Sequence, residues 1–165
     1  MPDADPSEVA GHVRDVETSR PEDTEALGEA LGAAARGREL LGLVGELGAG
    51  KTCLVRGLAR GLGADPERVH SPSFVMVTEY GGGRLPLAHV DLYRLEGPRV
   101  DELFLREVLY GEGVAAVEWF DRLPPGAGDE VLLVTLWYAG GDRRTIRLEA
   151  HGARHVRWLD AALST

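Results

Sequence analysis

The sequence contains one cysteine, no asparagine, no glutamine and no long apolar run. Because Cys53 has no partner for an internal disulfide, we expect a reducing compartment and predict a cytoplasmic protein. No stretch approaches the roughly 18 apolar residues of a membrane-spanning helix, and the acidic N-terminus lacks the apolar segment of a secretory signal. We therefore predict that the protein has no membrane association.

Basic residues are the minority charge, with 18 lysines and arginines against 27 acidic residues and a formal net charge of −9. Neutralising the phosphates of a nucleic acid needs a clustered basic face, so this balance argues against direct nucleic-acid binding. Only one of the 18 basic residues, Lys51, is a lysine. Since arginine serves elsewhere, position 51 is expected to need a compact ammonium group.

The hydrophobic pattern predicts an α/β fold in a chain of 165 residues, long enough for one domain with a buried core. Short continuous apolar runs at 40–44 and 114–117 are typical of buried parallel strands. Helical spacing marks 21–36 and a stretch around Leu54–Leu62 that Gly63 ends. The remaining predicted elements are strands at 13–18, 69–80, 85–93, 131–139 and 143–149, and helices at 101–110 and 153–163.

The last two predicted strands alternate around Gly140–Asp142 and form an antiparallel hairpin, with Trp137 and Tyr138 expected in its core. The prediction is thus a mixed sheet with parallel core strands, an antiparallel C-terminal hairpin and helices on both faces. Residues 1–12 are predicted to be a flexible N-terminal tail, and 13–165 the domain.

One segment fits the phosphate-loop pattern G-x-x-x-x-G-K-[ST] without a gap: Gly45-Glu46-Leu47-Gly48-Ala49-Gly50-Lys51-Thr52. It lies between a predicted strand and a predicted helix, which is the context that this motif requires. Its glycines let backbone N–H groups turn toward phosphate oxygens, and the helix adds the positive end of its dipole. Lys51 is expected to reach the β- and γ-phosphates, and Thr52 to offer its hydroxyl to Mg²⁺. The alternative is a glycine-rich turn that binds nothing.

A carboxylate at the end of a neighbouring strand is the second requirement, because Mg²⁺ or the attacking water must be held there. Two residues qualify: Glu118 ends the apolar run Val114–Val117, and Asp91 lies in the C-terminal region of another predicted strand. Ligands of open α/β sheets gather at these strand ends. The alternatives are a solvated strand end for Glu118 and an ion pair with Arg94 for Asp91.

Three further side chains near these motifs are candidates. Ser71–Phe74 follows the phosphate-loop helix, where phosphate-sensing switches lie, so Ser73 either turns its hydroxyl toward metal or phosphate or belongs to a plain turn. Cys53 lies at a predicted helix N-terminus, which can lower a thiol pKa, although we favour a small packing residue. Trp119 packs either near the nucleotide or in the core.

Four histidines lack metal-ligand spacing and are expected at the surface or in packing: His70, His89, His151 and His155.

Two other classes of protein also carry a phosphate loop, namely small-molecule kinases and GTP-binding switch proteins. Small-molecule kinases of similar length usually carry an arginine-rich helical lid, whereas Arg143, Arg144 and Arg147 lie in a predicted strand. GTP-binding proteins commonly recognise guanine through an N-K-x-D element, which a chain without asparagine cannot form. Because glutamine is also absent, a carboxylate must position the attacking water.

Together these motifs resemble the TsaE family (formerly YjeE), the small bacterial ATPases of tRNA threonylcarbamoyladenosine synthesis. The resemblance runs from about residue 21 to 125. Beyond the phosphate loop it rests on three motifs, which are Ser71-Pro72-Ser73-Phe74, His89-Val90-Asp91-Leu92-Tyr93-Arg94 and Glu118-Trp119.

The resemblance implies a P-loop NTPase domain that binds ATP and Mg²⁺, in which Asp91, Glu118 and Lys51 carry hydrolysis. Thr52 and Glu118 would hold Mg²⁺, Asp91 would be essential for turnover and Ser71–Phe74 would act as the switch. The partner would be the TsaB–TsaD heterodimer, with tRNA reached only indirectly through that complex. The residues expected to contact the nucleotide are Gly45, Glu46, Leu47, Gly48, Ala49, Gly50, Lys51, Thr52, Cys53, Ser73 and Trp119.

The chain departs from the usual family pattern at three of these positions. Glu46 and Cys53 stand where an aspartate and a second threonine are usual, and Ser73 replaces a threonine. The serine keeps a hydroxyl. The thiol of Cys53 supplies no hard oxygen for metal or phosphate.

Overall fold

The computed structural model describes residues 12–46, 48–72, 77–93, 102–123 and 128–164. The strands are β1 Val13–Thr18, β2 Leu40–Val44, β3 Val77–Tyr80, β4 Leu87–Asp91, β5 Val114–Glu118, β6 Val131–Tyr138 and β7 Arg144–His151. The helices are α1 Pro21–Ala34, α2 Lys51–Leu62, α3 Glu102–Leu109 and α4 Ala153–Leu163, with 3₁₀ turns at Pro66–Arg68 and Phe120–Arg122. No described helix is both long and apolar enough to cross a membrane.

The strands form one mixed sheet in the order β1-β7-β6-β2-β5-β4-β3. At its centre β2 pairs in parallel with β5 and β6, and β4 pairs in parallel with β5. The outer pairs β3–β4, β6–β7 and β1–β7 are antiparallel. The predicted mixed sheet with its C-terminal hairpin is therefore confirmed.

Alternate residues of the central strands face two different apolar layers, as the period of a strand requires. Leu41 and Leu43 of β2 pack with α1, α2 and α4, whereas Leu40 lies in a second cluster with Leu109 of α3. Helices thus cover both faces of the sheet, as predicted. The same alternation makes the central strands apolar throughout, which is why their sequences are continuous apolar runs.

Helix α2, which begins at Lys51, is fixed against α1 by very close backbone contact. A Cβ atom at Gly57 would lie 1.9 Å from the carbonyl oxygen of Glu25, and one at Gly28 would lie 2.1 Å from that of Leu54. Only glycine permits this approach. The start of α2, and with it the end of the phosphate loop, is therefore held by helix packing.

Several predicted boundaries are wrong. Val69–Pro72 is not part of a strand, since Val69 closes the 3₁₀ turn with a 3.2 Å bond to the Pro66 carbonyl and Pro72 has no N–H to donate. Strand β4 begins only after Pro86 and ends at Asp91, before Leu92. Helix α1 stops at Ala34 rather than at residue 36. Residues 1–11 lie outside the described residues, so the flexible tail at 1–12 stays a prediction.

Candidate functional site

The candidate site lies where three parallel strands end beside one another. The phosphate loop leaves the end of β2, Asp91 is the last residue of β4 and Glu118 is the last residue of β5. Asp91 stands opposite Glu118 in the β4–β5 register, and Glu118 stands opposite Leu43 in the β2–β5 register. The sheet thereby brings both predicted carboxylates to the phosphate loop, as expected for strand ends at one edge of an α/β sheet.

The phosphate loop turns through two glycines in the left-handed region, Gly48 with φ 78° and Gly50 with φ 109°. Gly50 precedes the first turn of α2, so the N-terminus of the helix opens onto the loop. Ala49 is buried, whereas Glu46 and Gly48 are exposed. Leu47 lies outside the described residues. Glycine adopts these left-handed φ angles more readily than any other residue, which explains its presence at both positions.

Lys51 is buried, and its ammonium group is folded into the loop. Its Nζ donates hydrogen bonds of 2.6 Å and 2.8 Å to the carbonyls of Gly45 and Glu46 and lies 4.5 Å from the centre of the Trp119 ring. Burial lowers the pKa of Lys51, while the charges of Glu118, Asp91 and Asp121 act to raise it. The only lysine thus faces the acidic side of the site.

Thr52 and Glu118, the predicted metal ligands, are in direct contact. The Thr52 hydroxyl donates to the two carboxylate oxygens of Glu118 at 3.1 Å and 3.2 Å. Glu118 is 3% exposed and is also held by His89, whose Nε2 lies 2.5 Å from Glu118 Oε2. With the carboxylate ionised, Nε2 is the donor of this bond.

His89 is a site residue that sequence reasoning missed, since a role at the surface or in packing was expected. It is completely buried, and it contacts a candidate metal ligand. A signal was present, because His89 and Asp91 are two residues apart in one strand and must share a face. His155 does fit the packing expectation: it is buried and accepts a 2.9 Å bond from the Leu40 N–H, and its pKa is lowered to about 4, mainly by burial. His70 and His151 are exposed.

Asp91 is bonded to the segment expected to act as a switch. The Ser71 hydroxyl donates to Asp91 Oδ2 at 2.6 Å, and the Tyr93 backbone N–H donates to Oδ1 at 2.8 Å. Ser73, the predicted switch hydroxyl, and Arg94, the alternative ion-pair partner, lie outside the described residues. Within the described residues, the contact between this segment and the site is therefore the bond from Ser71 to Asp91.

The surroundings of Cys53 do not favour an activated thiol. Its Sγ donates to the Pro21 carbonyl at 3.2 Å, and its pKa is raised, first by burial and then by the charge of Glu25. Desolvation is the largest cause of this raised pKa, since burial disfavours the charged thiolate. The packing interpretation is the one that fits, although Cys53 also borders the cavity beside Lys51.

Two adjoining cavities share Tyr93 and Trp119 as a common wall. The smaller, about 340 Å³, is lined by polar residues of the site, including Lys51, Thr52, Asp91 and Glu118. The larger, about 720 Å³, is lined mainly by apolar and aromatic residues: Val44, Gly45, Glu46, Tyr93, Trp119, Asp121, Thr135, Leu136, Trp137 and Tyr138. Trp119 was expected either near the nucleotide or in the core; its side chain borders both cavities and also packs against the second apolar cluster.

Trp137 and Tyr138 do not form a hairpin core, contrary to expectation. They are 46% and 51% exposed at the end of β6. Both side chains line the larger cavity instead of packing in the core.

The donor set fits a hard divalent ion bound together with a ligand. No group of three or more His, Cys, Asp or Glu side chains suited to a metal occurs in the part of the chain that is described. Thr52 and Glu118 supply hard oxygens, and Mg²⁺ usually takes one or two carboxylates and completes its shell with phosphate oxygens and water. Thr52 and Glu118 therefore suit Mg²⁺ that arrives with a nucleotide.

Comparison with known proteins gives a consistent result. The family model described as "Threonylcarbamoyl adenosine biosynthesis protein TsaE" matches residues 18–146. The tRNA threonylcarbamoyladenosine biosynthesis protein TsaE of Bacillus subtilis (strain 168) is 41% identical over 138 residues, which cover 84% of this chain and 86% of that protein. The protein of the same name from Streptomyces coelicolor is 37% identical over 149 residues, covering 84% and 95%. The crystal structure of YdiB from Bacillus subtilis superimposes with a TM-score of 0.72 and 34% identity, covering 91% of this chain and 93% of that one.

Proposed function

The chain belongs to the TsaE family, the proteins of threonylcarbamoyl adenosine biosynthesis, and we propose that within this tRNA modification it binds ATP with Mg²⁺ and hydrolyses ATP. The observation that carries the proposal is a single cavity of about 340 Å³ bordered by Lys51, Thr52, Asp91 and Glu118. A cation, a hydroxyl and two carboxylates around one phosphate loop are the parts that phosphoryl transfer to water needs.

Binding of the triphosphate is assigned to the phosphate loop and Lys51. Gly48 and Gly50 border the cavity, and α2 presents its N-terminus to it. Lys51 now bonds the loop carbonyls of Gly45 and Glu46, so its ammonium needs only to turn within the loop to reach a phosphate oxygen. Charge-assisted bonds of this kind are among the strongest that a protein makes.

Thr52 and Glu118 would hold Mg²⁺, which neutralises charge that develops on the phosphate oxygens. The 3.1 Å contact between them already places two hard oxygens side by side. His89 keeps the Glu118 carboxylate turned toward Thr52 by its bond to Oε2. We therefore assign His89 as a positioning residue.

Replacing His89 by leucine is expected to weaken Mg²⁺ binding, because Glu118 loses the donor that orients it. A lost hydrogen bond to a charged group costs about 1.5–3 kcal/mol, so the Mg²⁺ midpoint in a titration of ATP binding should rise about tenfold or more. His89→Gln should recover most of the affinity, since its amide can still donate. His70→Leu, at an exposed histidine, is the matched control; an unchanged midpoint in His89→Leu would refute the positioning role.

Asp91 is assigned to turnover, where it orients the attacking water or couples the switch segment to the phosphate. The Ser71 hydroxyl and the Tyr93 N–H each donate to one oxygen of the carboxylate, and together they hold it at the edge of the cavity. A carboxylate in this role can accept the proton of water as the oxygen–phosphorus bond forms and ADP leaves. Ser71 would report the state of the site to the segment that follows it.

The nucleoside is assigned to the larger aromatic cavity, which adjoins the phosphate cavity at Tyr93 and Trp119. Flat aromatic surfaces suit a purine base. We propose ATP over GTP, because a chain without asparagine lacks the N-K-x-D element of guanine readers.

The proposed partner is the TsaB–TsaD heterodimer, and tRNA would be reached only through that complex. The net charge of −9 supports contact with protein rather than with the phosphates of tRNA. The runner-up, a small-molecule kinase, is disfavoured because Arg144 and Arg147 lie in strand β7 and so do not belong to a helical lid.

The purified protein is expected to hydrolyse ATP faster when purified TsaB–TsaD is present, and to prefer ATP in competition with GTP. The assay measures phosphate release with each protein alone and with the mixture. Complex formation is followed by gel filtration with and without ATP. Equal or tighter GTP binding would overturn the ATP assignment, and transfer of phosphate to a small metabolite instead of water would favour the kinase. Failure of the proteins to associate under either condition would refute the partnership.

A further inference from the structure

The β6–β7 hairpin contacts the phosphate loop through Arg144, a residue without a role in the ATP binding and hydrolysis proposed above. Arg144 is the first residue of β7, and its Nε donates to the Ala49 carbonyl at 3.1 Å and its Nη2 to the Gly48 carbonyl at 3.3 Å. On the hairpin side its Nη1 donates to the carbonyls of Gly141 at 2.7 Å and Arg143 at 2.9 Å. One guanidinium group therefore joins two backbone segments that lie almost 100 residues apart in the chain.

Tyr138 completes this contact from the opposite strand. It stands opposite Arg144 in the β6–β7 register, and the Arg144 guanidinium lies 4.2 Å from the centre of its ring. A Cβ atom added at Gly48 would lie 2.6 Å from the Tyr138 hydroxyl oxygen, so the tyrosine rests against the backbone of the loop. A cation–π contact of this kind limits the freedom of the arginine side chain.

The carbonyls that Arg144 binds belong to the peptides that form the turn of the loop. In a trans peptide the C=O and the following N–H point in opposite directions. Holding the Ala49 carbonyl toward Arg144 thus turns the N–H of Gly50 the other way, and Gly50 borders the cavity assigned to phosphate. A cation on the carbonyl side also polarises these peptides and adds positive potential to the loop.

We propose that Arg144 is a positioning residue for the phosphate loop, holding the Gly48 and Ala49 peptides in the orientation that accepts a triphosphate. This inference rests on the proposed nucleotide binding. Arg144 is not among the residues that line the cavity assigned to phosphate, so it acts through the loop backbone. The exposed hairpin is thereby part of the nucleotide site, and its position is linked to phosphate affinity.

The test compares Arg144→Met and Arg144→Lys with Arg147→Met in titrations with ATP·Mg²⁺ and with inorganic tripolyphosphate. Arg147 is a matched control because it lies on the same strand and pairs with Asp15 at the exposed surface, at 2.8 Å. Arg144→Met should lower the affinity for ATP·Mg²⁺ and for tripolyphosphate by the same factor, about tenfold or more, because the two charge-assisted bonds that hold the loop are lost. The affinity of Arg144→Lys should lie between those of the unmodified protein and Arg144→Met, since an ammonium group keeps the charge but lacks the several fixed donors of the guanidinium.

Thermal unfolding and the amide NMR signals of Ala49 and Gly50 separate positioning from stability. We expect the two Arg→Met variants to unfold at similar temperatures, while only Arg144→Met shifts these two amide signals. If Arg144→Met does not fold, Arg144→Lys carries the same comparison. Unchanged affinity in Arg144→Lys and in any folded Arg144→Met, or a loss for ATP that tripolyphosphate does not show, would overturn the inference alone. Absence of binding by the unmodified protein would overturn the proposed function as well.

Discussion

Replacing Lys51 by alanine is expected to abolish measurable binding of ATP·Mg²⁺. Each charge-assisted bond to a phosphate oxygen contributes roughly 1.5–3 kcal/mol, so losing two costs about 3 kcal/mol or more, beyond a hundredfold in affinity. No other lysine exists to substitute for it. The measurement is calorimetric titration of the purified variant with ATP·Mg²⁺.

The fold should survive this change, because the apolar side of α2 packs through Leu54 and Leu58 and does not involve the ammonium group. Lys51→Arg is the informative companion. The guanidinium is too bulky for a slot bounded by two loop carbonyls within 2.8 Å and by the Trp119 ring, so this variant should fail as well despite its charge. A folded Lys51→Ala protein that binds ATP normally would remove the basis for the phosphate-loop assignment.

Asp91→Ala is expected to bind ATP and yet lose hydrolysis. Its affinity should stay within about 1.4 kcal/mol of the unmodified protein, a factor of ten, because the carboxylate is assigned to turnover. Glu118→Ala should both abolish turnover and weaken the Mg²⁺ dependence of ATP binding, since it removes a proposed ligand. Phosphate release is measured with TsaB–TsaD present, and Mg²⁺ is titrated against ATP binding in each variant.

The structure also offers controls for these two carboxylates. Asp160→Ala removes an exposed carboxylate on α4, whose nearest ion-pair contact is to Arg14 at 3.7 Å, and should leave both assays unchanged. Ser71→Ala removes the 2.6 Å bond to Asp91 and should slow hydrolysis without affecting the Mg²⁺ midpoint. If Asp91→Ala shifts that midpoint and Glu118→Ala does not, the two roles are exchanged. If neither variant slows hydrolysis, the site lies elsewhere.

Local patterns allowed the central part of the fold to be predicted. The runs that became β2 and β5 were recognisable because strands covered on both faces are apolar at every position. The phosphate loop was recognisable because its geometry depends on glycines and on a lysine at a set spacing within one short segment. The antiparallel hairpin of β6 and β7 was equally local, since one turn joins the two strands.

Errors arose where the outcome depended on distant segments. Trp137 and Tyr138 are large aromatic residues of the kind that fill cores, but whether other segments cover the end of β6 is decided by the packing of the whole chain, and both stay about half exposed. His89 carried no ligand spacing in sequence, because its partner Glu118 is on the neighbouring strand.

The sequence by itself determined that a phosphate-loop motif follows a buried strand, that Glu118 ends one apolar run and Asp91 lies in the C-terminal region of another strand, and that the only lysine stands in the motif. These features are set by residue type and by spacing within single segments. Only the tertiary structure decided that β2 lies between β5 and β6. That order brings Thr52 against Glu118, 66 residues away, and allows Arg144 to reach the carbonyls of Gly48 and Ala49. Such contacts depend on strand order and register, which arise from packing the whole sheet between its two helical layers and leave no trace within any one segment.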